Sequence, residues 1–165
     1  MKFRNILALL MGVIMVISLC ACGVDGVPVT DEPEKVVVLT EVLEAINAEF
    51  GFADEMKAIE DTDSLELFYQ ISPDDVKQFA AEATRNSAED ITEIILVEAV
   101  DEEAALRVYD ALMVRYNSQR DLCASYSAEL LAVVNECSVE RENNFVTLIM
   151  SDKDDAITEL YKSFF

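Results

Sequence analysis

The apolar positions of this chain fall into three regimes. Ile6 to Leu19 is an apolar run broken only by Gly12 and Ser18. Gly23 to Lys35 has no periodicity and holds Gly23, Gly26, Pro28 and Pro33, the composition of an extended linker. From Val36 onward the pattern becomes periodic. Val36, Leu39, Leu43, Ile46 and Phe50 recur every three to four residues and predict a helix over 36–50, with Gly51 as its stop. Phe52 to Asp61 fits neither period. Asp63-Ser-Leu-Glu66 has capping-box spacing and predicts a short helix carrying Leu65, Phe68 and Tyr69. Ser72-Pro73-Asp74-Asp75 resembles a helix start with proline at the first position. Over 76–84 two readings compete. Val76, Phe79, Ala80 and Ala83 suit a helix, whereas Lys77, Phe79, Ala81 and Ala83 suit one face of a strand, and alanine favours the helix by propensity.

The second half is plainer. Ile91 to Val100 is rich in β-branched residues and reads as a strand buried on both faces at its centre. Asp101 caps a long helix to about Arg120, with Ala105, Tyr109, Leu112, Met113 and Tyr116 as its apolar stripe. A shorter helix spans 127–135. Cys137 to Glu142, Asn143-Asn144 and Phe145 to Ser151 read as a hairpin, because asparagine tolerates the positive φ of a tight turn. A last helix runs from 151 to about 164. Strands joined by short turns, with helices stacked on one face, make an α+β domain.

The apolar run has the length of a signal peptide rather than a membrane span, and Lys2 and Arg4 precede it. Leu19-Cys20-Ala21-Cys22 follows, and resembles the lipobox read by lipoprotein signal peptidase. Ala21 sits at −1 to Cys22 and Leu19 at −3, whereas the competing Cys20 has the bulky Leu19 before it. The resemblance implies lipidation of Cys22, with residues 1–21 removed, 22–35 as lipidated cysteine and linker, and 36–165 as one extracytoplasmic domain. The alternative is an uncleaved anchor helix. Two acyl chains, at about 0.8 kcal/mol per buried methylene, anchor firmly where one would not. The linker reaches at most about 40 Å at about 3.3 Å per residue.

Charge and composition then narrow the chemistry. The chain has 12 Lys+Arg against 33 Asp+Glu, and without Lys2 and Arg4 the net charge is −23. That field repels nucleic acid and anionic membrane surfaces. There is no histidine and no tryptophan, and Gly51 is the only glycine beyond the linker. A histidine-based triad and a glycine-rich phosphate loop therefore have no material, and the sequence offers no cofactor motif. Cys123 and Cys137 are either a disulfide, worth about 3 kcal/mol in the chain-entropy model, or two free buried thiols. Two thiols without histidine are a poor zinc site. The acidic clusters at 61–66 and 152–155 lack the glycine and distal glutamate of a calcium loop and sit at helix starts, where capping explains them. Carboxylate pairs suited to glycoside chemistry arise by chance in so acidic a chain. No catalytic residue and no metal ligand is assigned. Arg107 and Arg115 lie two turns apart on the long helix and form a rare positive strip, and Tyr69 and Tyr126 are amphipathic. These four are the candidate partner surface, with local pairing such as Glu103 to Arg107 and core-edge packing as the alternatives.

Three stretches together resemble a known family. They are Leu67-Phe-Tyr-Gln-Ile-Ser-Pro-Asp-Asp-Val76, Asp90-Ile-Thr-Glu-Ile-Ile-Leu-Val-Glu-Ala-Val-Asp-Glu-Glu-Ala-Ala105 and Phe145-Val-Thr-Leu-Ile-Met-Ser-Asp152, with Arg115, Gln119 and Tyr126 in matching places. With the leader, these resemble small lipoproteins of clostridia and related Gram-positive bacteria that carry domain of unknown function 4358. The segment after Val76 is alanine-rich where that family is more β-branched, and Asn143-Asn144 stands where a glycine is expected. The resemblance implies that 76–84 is a strand pairing with 91–100, which makes a four-stranded, mainly antiparallel sheet with helices packed on it. It implies no activity. The expectation is a non-catalytic, lipid-anchored module that binds an envelope protein or glycan, with a small carboxylate-dependent enzyme as the alternative. A two-lobed solute receptor would need roughly twice the length.

Overall fold

The computed structural model describes residues 36–165 apart from Ala53 and Ala88. The expected signal peptide, Cys22 and the linker lie outside the described residues.

The helix over 36–50 starts later than its periodicity suggests. Helix α1 is Leu39–Phe50, and Val36 is exposed. Val38 offers no side-chain cap. The start is fixed instead from the sheet: Leu39 N donates to Gln78 Oε1 at 3.0 Å, and Gln78 Nε2 donates to Val37 O at 2.8 Å and Glu98 Oε2 at 2.6 Å. The end is local, because Gly51 takes φ 77° and returns its N–H to Asn47 O. Helix α2 is Thr62–Tyr69, two residues earlier than the capping-box reading, since Asp61 rather than Asp63 caps it by accepting from Ser64 N at 2.7 Å. Pro73–Asp75 makes a single 3₁₀ turn that leads into a strand rather than a helix.

From residue 91 onward the elements follow the expected order. Strand β1 is Met56–Ile59, β2 is Val76–Thr84, β3 is Glu93–Ala99, β4 is Ser138–Glu142 and β5 is Phe145–Met150. Helix α3 is Glu102–Tyr126, α4 is Ala128–Glu136 and α5 is Asp154–Lys162. Asp101 Oδ1 accepts from Ala104 N at 2.8 Å, as the sequence suggested, and Ser127 caps α4. Asn143 takes φ 52° in the β4–β5 turn.

All pairings are antiparallel, in the order β1-β2-β3-β5-β4. The sheet has five strands, not four. The fifth comes from the stretch that fitted neither period: Met56 to Ile59 pairs with Thr84 to Ala81. In β1 only Met56 is buried, so four residues carry no readable alternation. The helices pack on both faces, not on one. Ile95, Val97 and Ala99 face a core closed by α2, α3 and α4, whereas Ile94 and Leu96 face a second core closed by α1 and α5. With both faces covered, every residue of β3 is buried.

Candidate functional site

Four side chains meet where α2 and α3 cross the sheet. Glu93 sits on β3 between apolar neighbours, and its side chain is only 3% exposed. A carboxylate at such a position must be paired. Arg115, from α3, supplies the partner: its Nε lies 3.1 Å from each Glu93 oxygen, and its Nη2 lies 3.1 Å from Oε2. Its guanidinium lies 5.6 Å from the centre of the Tyr69 ring on α2. Gln119, one turn along α3, turns its amide oxygen to accept from Nη1 at 2.9 Å and Nη2 at 2.7 Å. Burial, and then the neighbouring Glu93, push the Tyr69 hydroxyl well above its ordinary pKa. Tyr69 and Arg115 are thus brought together, but around an internal carboxylate that already engages the arginine.

The other two members of the expected surface have different partners. Arg107 forks onto Asp75 of the 3₁₀ turn, with Nε 3.1 Å from both oxygens and Nη2 2.6 Å from Oδ1. This clamp replaces the local pairing with Glu103 and raises the Arg107 pKa, chiefly through the Asp75 hydrogen bond. Tyr126 receives the Cys123 thiol at 3.9 Å. The arginine strip therefore acts as two clamps that hold α3 to the rest of the fold.

Cys123 and Cys137 are free and buried. The Cys137 thiol donates to Val133 O at 3.2 Å and Ser151 O at 3.7 Å, and burial pushes its pKa up to about 11. Such a thiol carries little thiolate near neutrality and is a weak nucleophile. Among the described residues no group of three or more acidic or cysteine side chains is placed to hold a metal ion.

The polar groups that lack partners lie elsewhere. A groove of about 420 Å³ runs between α1 and the strand pair β1–β2. Ala58 and Ala80 lie along it and Leu43 supplies apolar wall from α1, whereas Ile59 and Phe79 border it with side chains packed against the core on the other face of the sheet. Asn47 reaches from α1 to β2, where its Nδ2 donates to Glu82 Oε2 at 3.0 Å. Asn47 Oδ1 and Glu82 Oε1 are buried and have no hydrogen-bond partner among the described residues. Glu82 is 5% exposed, and burial pushes its carboxyl pKa up, an effect partly offset by the Asn47 hydrogen bond. Buried acceptors without donors are rare and costly. A second hollow, beside β4, β5 and α5, has satisfied polar groups: Lys162 pairs with Glu140 at 2.8 Å and Arg141 donates to Asn143 O at 3.0 Å.

Sequence reasoning named neither Glu82 nor Asn47, nor Glu93. A signal did exist for Glu93, as an acid inside the strongest buried-strand run needs a cation, and α3 carries few. For Glu82 it was weaker. Once 76–84 is a strand, Gln78, Ala80 and Glu82 share a face, and small residues beside an acid on a covered face leave a hollow.

A family model described as "Domain of unknown function (DUF4358)" matches residues 49–151. No curated protein and no solved structure matches the chain.

Proposed function

The chain belongs to the DUF4358 family, and from that premise we propose that it is a lipid-anchored, extracytoplasmic lipoprotein whose domain is a non-catalytic binding module of the cell envelope. The N-terminal lipid on Cys22 ties it to the membrane. The domain then holds an envelope protein or glycan, with the α1/β1–β2 groove as the binding site. Nucleic acid is disfavoured as a partner by the charge of −23 that remains without Lys2 and Arg4.

One observation carries the binding reading. Glu93 and Asp75 are each closed off by a forked arginine, whereas Asn47 Oδ1 and Glu82 Oε1 stand unpartnered in residues that line a groove. Groups left in that state at a concave surface suit a ligand that supplies the missing donors. The carboxylate-enzyme reading has one feature in its favour: a carboxyl of raised pKa in a groove that Glu44 and Glu60 also line. Turnover of an envelope glycan by the protein, abolished in Glu82→Gln, would favour that reading over simple binding.

Anchoring and binding are tested separately. Cys22→Ala is expected to move the protein from the membrane to the soluble extracytoplasmic fraction, and a processed variant that stayed with the membrane would remove the lipid anchor. A photo-crosslinking residue at Thr40, on the groove, is expected to capture a discrete envelope component in cells. The same group at Leu106, exposed on α3, is expected to capture none. Capture from Leu106 and not from Thr40 would remove the groove as the binding site.

A further inference from the structure

Resting on the reading of this groove as the binding site for an envelope component, we propose that the group it takes from that component is a primary ammonium head on a short apolar stem. The head follows from the polarity of what is unsatisfied. Asn47 Oδ1 and Glu82 Oε1 are both acceptors, and the Asn47 Nδ2 group already donates to Glu82 Oε2. The side-chain pair therefore asks the ligand for donors. A carboxylate or phosphate head would set lone pairs against lone pairs and negative charge against Glu82. An alcohol has one donor for two acceptors. A primary ammonium has three donors on one centre and carries the complementary charge.

The surroundings agree. Among the described residues the groove is lined by Glu44, Glu60 and Glu82 and by no lysine or arginine. Glu44 and Glu60 are exposed and bias the approach toward cations, whereas Glu82 is buried and close to Asn47. A metal ion fits less well, because no three ligating side chains converge among the described residues. The stem follows from the apolar wall. Leu43 and the methyl groups of Ala58 and Ala80 give it surface, and the two alanines leave the space that larger strand residues would fill. The volume of about 420 Å³ falls within the usual range of small-molecule sites.

The probe is n-hexylammonium, with hexan-1-ol and hexanoate as controls of the same length. Each is titrated into the full-length lipoprotein in non-ionic detergent and followed by amide resonances. Hexylammonium is expected to shift residues 40–47, 58–60 and 79–82 saturably. Hexan-1-ol is expected to bind about tenfold more weakly, the discrimination a charge-assisted hydrogen bond gives, and hexanoate not at all. Glu82→Gln, which keeps the shape and loses the charge, and Ala80→Leu, which fills the hollow, are each expected to weaken hexylammonium by about tenfold or more. Equal binding of the amine and the alcohol, or an unchanged affinity in Glu82→Gln, would overturn the ammonium head. Absence of saturable shifts at these residues with any probe would overturn the amine-site proposal, while capture from Thr40 in cells would keep the binding-module reading standing. Failure of that capture would remove the groove as the partner's site, independently of the probe result.

Discussion

Replacing Arg115 with methionine tests the argument that the Glu93 cluster is structural. The substitution keeps much of the side chain's apolar length and deletes its charge and donors. Glu93 stays where it was, 3% exposed, on a strand with both faces covered. At about 3.1 Å and an effective dielectric near 20, the lost attraction is roughly 5 kcal/mol before solvation is counted. Removing one partner of a buried pair typically costs about 3–5 kcal/mol, because the remaining charge has been taken out of water without compensation. Arg115 is 32% exposed, so water can reach part of the gap, and the lower end is expected, about 3 kcal/mol. With a urea slope of about 1–3 kcal/mol per molar, the unfolding midpoint falls by roughly 1–3 M. The assay is urea unfolding followed by far-ultraviolet circular dichroism and by tyrosine fluorescence, since the chain has no tryptophan. The double variant Glu93→Met with Arg115→Met is expected to recover most of the loss, as apolar replacement of a whole buried pair is often neutral. A loss below about 1 kcal/mol in Arg115→Met, the scale of an exposed ion pair, would refute the reasoning. So would a double variant as unstable as the two single losses added together.

Two further outcomes concern stability. Burial raises Glu82 above its ordinary value of 4.5, so the folded protein keeps this proton to a higher pH than the unfolded chain. Stability is therefore lost as pH rises from 4.5 through the folded-state pKa and stays lower above it. Glu82→Gln cannot ionise, and is expected to show a higher urea midpoint than the native protein near neutrality. The difference should close below about pH 4, and a difference independent of pH would contradict the burial argument. Gly51→Ala is expected to lower stability by about 1 kcal/mol, measured as the unfolding midpoint, through backbone strain alone. The residue has φ 77° and an added Cβ would meet nothing within 4 Å. A neutral result would mean that α1 ends without the left-handed turn.

The local features were legible because local chemistry dictates them. Gly51 ends α1, Asp101 begins α3 and Asn143 turns the hairpin, each through its own backbone or a side chain within a few residues. The β-branched density of 91–100 likewise gave a strand buried on both faces. The boundaries that moved depend on distant partners. Val36 has helical spacing with Leu39 and Leu43, but Gln78, about forty residues away, holds the chain at Val37 and starts α1 at Leu39.

The sheet itself needed the tertiary structure. Alanine and glutamate in 76–84 favour a helix, and the family resemblance, not propensity, gave the strand. Two ladders decide it: β2 pairs with β3 on one side and β1 on the other, and the backbone bonds of both sides outweigh tenths of a kcal/mol per residue in propensity. Pairing with β2 also makes a strand of Met56–Ile59, which has no period of its own. The same holds for the candidate site. Composition showed that the chain is acidic and lacks histidine, and so set which chemistries had material. It could not say which of 33 acids lose their water. That depends on which face of a strand is covered and by what, so Glu93 found Arg115 across 22 residues while Glu82 was left with one oxygen unpartnered in a residue of the groove wall.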